Sequence, residues 1–177
     1  LSWEIVSQTP KGGFYMGEGG GILNAIIGSL YIGFGATLLA TFISTPIALF
    51  MNVFLVGYKT TLQYIRLLLD VLWGIPSIVY GAFGFSIMLW LGMRSSLLAG
   101  IIVVALLIIP IMIRTMDEAM RHIPYELMEV SYALGANTTE TAFLVYFRYS
   151  ITSFFTAFLL AFGRGIGDAA SVLFTVG

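Results

Sequence analysis

Long stretches without a charged side chain constrain this sequence more than any other feature. Residues 19–58, 71–93 and 95–113 carry no charge, and a fourth apolar run covers residues 149–176. Each run supplies the roughly 20 apolar residues that a helix needs to cross a bilayer. With 59% of 177 residues hydrophobic and 10% charged, the chain is also more apolar than a soluble domain of this length. We therefore predict an all-α, polytopic transmembrane helix bundle.

Proline positions and the apolar runs set the expected span limits. Pro46 should kink or end the first helix, because proline lacks the amide donor and its ring crowds the preceding turn. The chain begins without methionine and stops inside an apolar run, so we expect a fragment truncated at both ends. The predicted single domain, residues 1–177, has spans at residues 22–50, 71–92, 96–114 and 149–175 and a cytoplasmic loop at residues 115–148.

Basic residues give the expected orientation. Two connections carry most of the cations, whereas the opposite side has only Lys11 and Arg94. The positive-inside rule places the two basic connections in the cytoplasm. Their cations are Lys59, Arg66, Arg114, Arg121 and Arg148.

Several classes of function are disfavoured by composition. The net charge of −1 and the scattered cations do not fit a nucleic-acid partner. Cysteine is absent and His122 is the sole histidine, so we expect no metal site. The sequence has no phosphate-binding G-x-x-x-x-G-K-[ST] loop and no nucleophile-base arrangement. We therefore expect no cofactor, no catalytic residues and no ATPase site in this chain.

The predicted cytoplasmic loop contains helix signals. Proline suits the first turn of a helix, and Glu126 complements the dipole at that end, so a helix should begin after Pro124. Gly135 should close this helix in the left-handed conformation. Asn137 and Glu140 have the spacing of a capping box, which would open a second helix. We expect a helix-turn-helix between two spans.

This segment resembles a known loop. Glu129-Val-Ser-Tyr-Ala-Leu-Gly135 is similar to the E-A-A-x-x-x-G loop of permease subunits in ATP-binding-cassette importers, and residues 123–126 match its upstream flank. The family pattern continues into an I-x-L-P element, whereas residues 145–148 contain no proline. The resemblance implies that Glu126, Glu129 and Gly135 take part in coupling to an ATPase subunit.

Two charges interrupt the last apolar run. Inserting a charged side chain at mid-membrane costs on the order of 2.5–3.5 kcal/mol of free energy. Arg164 and Asp168 should therefore have a functional or structural role that offsets this cost. Their spacing of four residues would place both on one helix face, where they could pair. Either the pair is structural, or Arg164 contacts an anion that crosses the membrane while Asp168 neutralises it at rest. Near the second span, Arg66 and Asp70 have the same spacing and are interpreted as an interfacial pair.

The surroundings of Arg164 resemble the G-R-A-x-G-E-T signature of permease subunits of the high-affinity phosphate importer. Residues 75–84 are similar to the P-S-x-V-Y-G-x-x-G segment of that family, and residues 172–177 favour its A-type over its C-type subunit. Asp168 stands where the family has glutamate. Ser77 and Tyr80, which lie in the similar segment, are candidate pathway residues, although Ser77 could instead satisfy a freed carbonyl and Tyr80 could simply pack.

The resemblance implies a type I ATP-binding-cassette importer permease in a prokaryotic plasma membrane. Its expected partners are inorganic phosphate, membrane lipid, a second homologous permease subunit, two ATP-binding subunits and an extracytoplasmic phosphate-binding protein. Two alternatives remain: a permease for sulfate, molybdate or an organic solute, and an ion-coupled transporter that uses Asp168 as its ion site.

Overall fold

The chain is helical throughout the part that the structure describes. The computed structural model describes residues 6–9, 21–92 and 94–176, and its regular elements in these ranges are all helices. The prediction of an all-α membrane bundle is confirmed. Lys11, which the sequence predicts on the external side, lies outside the described residues.

The first half contains one long helix and one sharply bent pair. Helix α1 covers Leu23–Leu49 and passes directly into a π-helical segment, π1, at Phe50–Phe54. Helix α2 covers Lys59–Gly74, and helix α3 covers Ser77–Trp90. The α2 and α3 axes meet at 92° around Ile75 and Pro76, where proline removes a donor and restricts the preceding residue.

The second half contains two long helices joined by a short one. Helix α4 covers Leu97–Arg121, and helix α5 covers Tyr125–Ala133. The remaining elements are α6 at Thr138–Glu140, a second π-helical segment π2 at Thr141–Phe147, α7 at Arg148–Ile166 and α8 at Ala169–Thr175.

Pro46 lies inside α1 and does not end it. The helix continues to Leu49, and the amide of Phe50 donates to the carbonyls of Pro46 and Ile47. The wider π-turn then begins, and its last bond runs from the Leu55 amide to the Phe50 carbonyl at 3.2 Å. We expect Pro46 either to kink the helix or to end it. The second outcome is excluded, because the chain changes from α-helical to π-helical hydrogen bonds after the proline and stays helical.

Three helical stretches are long and apolar enough to cross a membrane. They are Leu23–Phe54, Leu97–Arg121 and Thr138–Ile166, and the bent pair α2–α3 is a fourth candidate. Helix α4 is the most buried of the three long stretches and packs against α1 and α7. Small residues of α1, such as Ala36 and Ala40, are fully buried at this contact, which lets the backbones approach closely.

Large apolar side chains are exposed on the outer surface of the bundle. Phe42 is 81% exposed and Trp90 is 85% exposed, and both lie in apolar helices. Hydrocarbon or other membrane helices are suitable surroundings for such a surface.

Candidate functional site

The last apolar run is broken at Gly167. Helix α7 ends at Ile166, and Asp168 is the N-cap residue of α8. The Asp168 carboxylate accepts hydrogen bonds from the Ser171 amide, at 3.3 Å, and from the Ser171 hydroxyl. Asp168 is only 6% exposed, and both bonds of the cap are accepted by its Oδ2 atom.

The expected pairing of Arg164 with Asp168 is wrong. The four-residue spacing brings side chains together only along a continuous helix, and here the helix ends between them. Arg164 is exposed in the last turn of α7 and makes no hydrogen bond or ion pair with the described residues. Its charge is favourably placed at the negative end of the α7 dipole.

A cavity of about 330 Å³ lies at the helix break, between α1, α7 and α8. Asp168 is the only ionisable residue among the described residues that line it. The structure therefore brings one of the four predicted pathway residues to this cavity, while Arg164, Ser77 and Tyr80 lie outside its lining. The lining residues are Ser29, Ile32, Gly165, Ile166, Gly167, Asp168, Ala169, Val172, Leu173 and Val176.

Helix α3 supports the broken helix through a glycine. A Cβ atom at Gly81 would lie 2.8 Å from the Cα atom of Ser171 and 3.2 Å from the carbonyl oxygen of Ala170. These are backbone atoms of α8, which do not move aside as a side chain tip would. Gly81 thus allows α3 to touch the turn that Asp168 caps.

Ser77 and Tyr80 lie at the bend between α2 and α3. The Tyr80 hydroxyl donates to the carbonyl of Leu72 at 2.9 Å and so satisfies a carbonyl in the last turn of α2. Ser77 is the first residue of α3, and its side chain makes no hydrogen bond within the described chain. Tyr80, rather than Ser77, supplies the compensating donor at this proline break.

The end of α5 has the geometry that its sequence predicts. Gly135 has a φ of +87°, the Ala136 amide donates to Ser131 at 3.1 Å, and the Gly135 amide donates to Tyr132 at 2.9 Å. These two bonds form a Schellman motif, which satisfies carbonyls that the helix end would otherwise leave free. The predicted left-handed glycine is confirmed.

The capping box after this turn is also confirmed. The Glu140 amide donates to Asn137 Oδ1 at 2.8 Å, and the Asn137 amide donates to Glu140 Oε2 at 2.8 Å. The helix that it opens is not a separate element, because Thr138–Ile166 forms one continuous helical stretch. In place of the expected helix-turn-helix, the short helix α5 is followed by α6 and π2, which are the first turns of the helical stretch that continues as α7.

One face of α5 packs inward and the other is unpartnered. Met128 and Ser131 are buried, and the Ser131 and Thr141 hydroxyls lie 2.8 Å apart, which fixes α5 to π2. Glu126 and Glu129 are exposed on the opposite side. Apolar residues are exposed beside them: Tyr125, Leu127, Val130, Tyr132 and Leu134.

A buried charge network lies close to α5. Asp117 is 0% exposed and accepts hydrogen bonds from Arg66 Nε and Nη2, both at 2.8 Å, and from Arg114 Nη1 at 3.0 Å. The Asn52 amide donates to the same carboxylate at 2.9 Å, and Arg114 also contacts Asp70 at 2.6 Å. The network joins π1, α2 and α4.

The sequence interpretation missed this network. It expected Arg66 to pair with Asp70, but the structure pairs Arg66 with Asp117 and Asp70 with Arg114. Asp117 falls within the predicted cytoplasmic loop, residues 115–148, because the third span is predicted to end at residue 114, whereas α4 continues to Arg121. The methionines at positions 112, 116 and 120 continue the buried face of the helix beyond residue 114. Their spacing of four is the sequence signal that α4 extends to Arg121.

Comparisons with known proteins agree with the sequence resemblance. The phosphate transport system permease protein PstA of Haemophilus influenzae is 37% identical over 89% of this chain and 56% of its own length. PstA of Yersinia pestis is 36% identical over 89% of this chain and 53% of its own length. The probable ABC transporter permease protein YqgI of Bacillus subtilis is 34% identical over 100% of this chain and 59% of its own length.

The chain spans about half to three fifths of the length of these relatives. A family model described as "Binding-protein-dependent transport system inner membrane component" matches residues 44–177, a region that contains α5, the Gly135 turn and the break at Asp168. The chain therefore belongs to the family of binding-protein-dependent transport system inner membrane components.

Proposed function

We propose that this chain is part of the membrane-spanning permease of an ATP-driven inorganic phosphate importer in a prokaryotic plasma membrane. The observation that carries the proposal is the guanidinium of Arg164, which is exposed on a helical stretch of membrane length and makes no ion pair with the described residues. Two curated relatives are named as phosphate transport permeases, which supports phosphate as the cargo.

The exposed side of α7 supports a polar pathway beside Arg164. Thr152 and Thr156 are exposed on the same helix. They lie four residues apart, in a row on the helix surface that continues through the exposed Leu160 to Arg164. The Thr156 hydroxyl donates to the Thr152 carbonyl at 3.1 Å, so the costly group against lipid on this side of α7 is the Arg164 cation, which a partner helix or a water-filled passage would accommodate. We therefore place the phosphate pathway along this side of α7, against a second homologous permease subunit.

Arginine suits the proposed cargo. A guanidinium presents a rigid planar fork of donors that forms paired, charge-assisted hydrogen bonds with phosphate oxygens. Because Asp168 is engaged by Ser171, no carboxylate competes with the anion for Arg164 among the described residues. The proposed role of Asp168 is to hold the helix break in shape, as N-cap of α8.

The exposed acidic and apolar face of α5 is the proposed contact with an ATP-binding subunit. Glu126 and Glu129 offer charges to that partner, and the adjacent exposed Val130 and Leu134 offer apolar area. The Ser131–Thr141 contact fixes α5 to the helix that leads into α7, so movement of α5 would reach the membrane region. The complete importer would contain two ATP-binding subunits and an extracytoplasmic phosphate-binding protein.

The test is ATP-dependent phosphate uptake by the transporter, assembled with its partner subunits in lipid vesicles. Excess sulfate or molybdate should leave phosphate uptake unchanged, and unlabelled phosphate should abolish uptake of the labelled anion. Absence of ATP-dependent phosphate uptake, together with ATP-dependent uptake of labelled sulfate or molybdate, would assign the permease to another oxyanion. Uptake without ATP would instead favour an ion-coupled transporter.

A further inference from the structure

A second group of cations lies around a cavity far along the chain from Arg164. The cavity has a volume of about 400 Å³, within the range of roughly 300–1,000 Å³ that is typical of small-molecule sites. It lies between π1, the beginning of α2, the end of α4 and the beginning of α5. Lys59, Arg66 and Arg121 line it, and no carboxylate is among its described lining residues. We call this cavity the basic pocket.

The guanidinium of Arg66 is fixed by hydrogen bonds and still has N–H donors that these bonds do not use. Its Nε and Nη2 atoms are occupied by the fully buried Asp117, which fixes the plane of the guanidinium. A guanidinium has five N–H donors, so the edge formed by Nη1 and the second hydrogen of Nη2 remains available. A guanidinium fixed by a buried carboxylate loses less conformational freedom when it binds an anion.

The charges of the other two cations are less fully neutralised by carboxylates. Lys59 makes no ion pair with any described carboxylate, and Arg121 contacts only Glu118, which is itself exposed, at 3.2 Å. The neutral donors Gln63 and Tyr125 also line the basic pocket without a hydrogen-bond partner in the described chain. Cations and neutral donors therefore converge on one cavity from three helices.

We propose that the basic pocket binds the phosphate group of an anionic ligand. A tetrahedral phosphate has oxygens that point in several directions, which matches donors arriving from α2, α4 and α5 better than one planar carboxylate does. The phosphate group of a membrane phospholipid and free inorganic phosphate share this chemistry. Basic pockets between membrane helices are known to hold anionic headgroups.

Two binding measurements on the purified chain in neutral detergent distinguish the sources. Native mass spectrometry with added phosphatidylglycerol or phosphatidylcholine measures headgroup binding. Thermal unfolding with inorganic phosphate or chloride at equal ionic strength measures binding of the free anion. Each is repeated with Lys59→Gln, Arg121→Gln and the control Arg148→Gln, which removes an exposed cation outside the basic pocket.

The expected result is preferential binding of phosphatidylglycerol or of phosphate, about tenfold weaker in Lys59→Gln and Arg121→Gln and unchanged in Arg148→Gln. Selectivity for phosphatidylglycerol assigns a lipid, and stabilisation by phosphate assigns the free anion. The proposal is overturned if neither phosphate group binds, or if Arg148→Gln weakens binding as much as the pocket variants, since that would indicate a general surface potential.

Discussion

Replacing Asp117 with asparagine should detach α2 from α4. The side chain keeps its shape but loses its charge. The NH2 group of the new asparagine would face N–H groups of Arg66 or Arg114, which need an acceptor. Removing one partner of a buried ion pair costs about 3–5 kcal/mol. Arg66 is 19% and Arg114 22% exposed, so solvent compensates part of that loss, and we expect unfolding to become easier by about 2–4 kcal/mol.

Asp70→Asn is the matched control. Asp70 is 45% exposed and contacts Arg114 alone, and a pair of this kind contributes about 0–1 kcal/mol. The assay is equilibrium unfolding of the chain in mixed micelles, followed by tryptophan fluorescence, because Trp73 of α2 lies beside Arg114. Hydrogen exchange of the α2 amides supplies a local readout, since loss of the Asp117 contacts should release α2 before the rest of the bundle.

A double-mutant cycle of Asp117→Asn with Arg66→Gln isolates their interaction. We expect a coupling energy of about 1–3 kcal/mol, as found for residues within one hydrogen-bonded network. If Asp117→Asn were no more destabilising than Asp70→Asn, and α2 exchange were unchanged, the network would not fix α2 and the reasoning would be refuted.

Two further predictions concern glycines. Gly81→Ala should destabilise the chain, because the overpacking cost of about 1–3 kcal/mol arises against backbone atoms of α8 and exceeds the helical gain of about 1 kcal/mol. Gly163→Ala, where a Cβ meets nothing within 4 Å, should be neutral or stabilising in the same unfolding assay, and equal effects would contradict the packing argument. Gly135→Ala should cost about 1–2 kcal/mol, because its φ of +87° is strained for any residue with a Cβ. Gly57→Ala, at a turn without positive φ, should change stability by less than about 0.5 kcal/mol, and a Gly135 effect no larger than this would contradict the strain argument.

Local signals in the sequence were sufficient for the α5 segment. The Gly135 turn and the Asn137–Glu140 capping box depend on residues within five positions of each other, so spacing alone predicts them. The apolar runs likewise predict helices of membrane length, because a bilayer requires backbone groups to be satisfied within each helix.

Contacts between distant residues could not be predicted in this way. Asp117 is 51 positions from Arg66, and the preference of Arg66 for Asp117 over Asp70 depends on how α2 folds back against α4. The same limit applies to Asp168. Its spacing from Arg164 favours a helical pair, but the short polar side chain of aspartate also favours an N-cap, and packing of α3 against α8 supports the second outcome.

Phosphate uptake by the Arg164→Gln transporter tests the central claim most directly. The complete importer, with its partner subunits in lipid vesicles, should lose ATP-dependent phosphate uptake in Arg164→Gln and recover part of it in Arg164→Lys, which keeps the charge but not the planar fork. Arg94→Gln, at an exposed cation between α3 and α4, should transport at the normal rate. Normal phosphate uptake by a correctly assembled Arg164→Gln transporter would contradict the account.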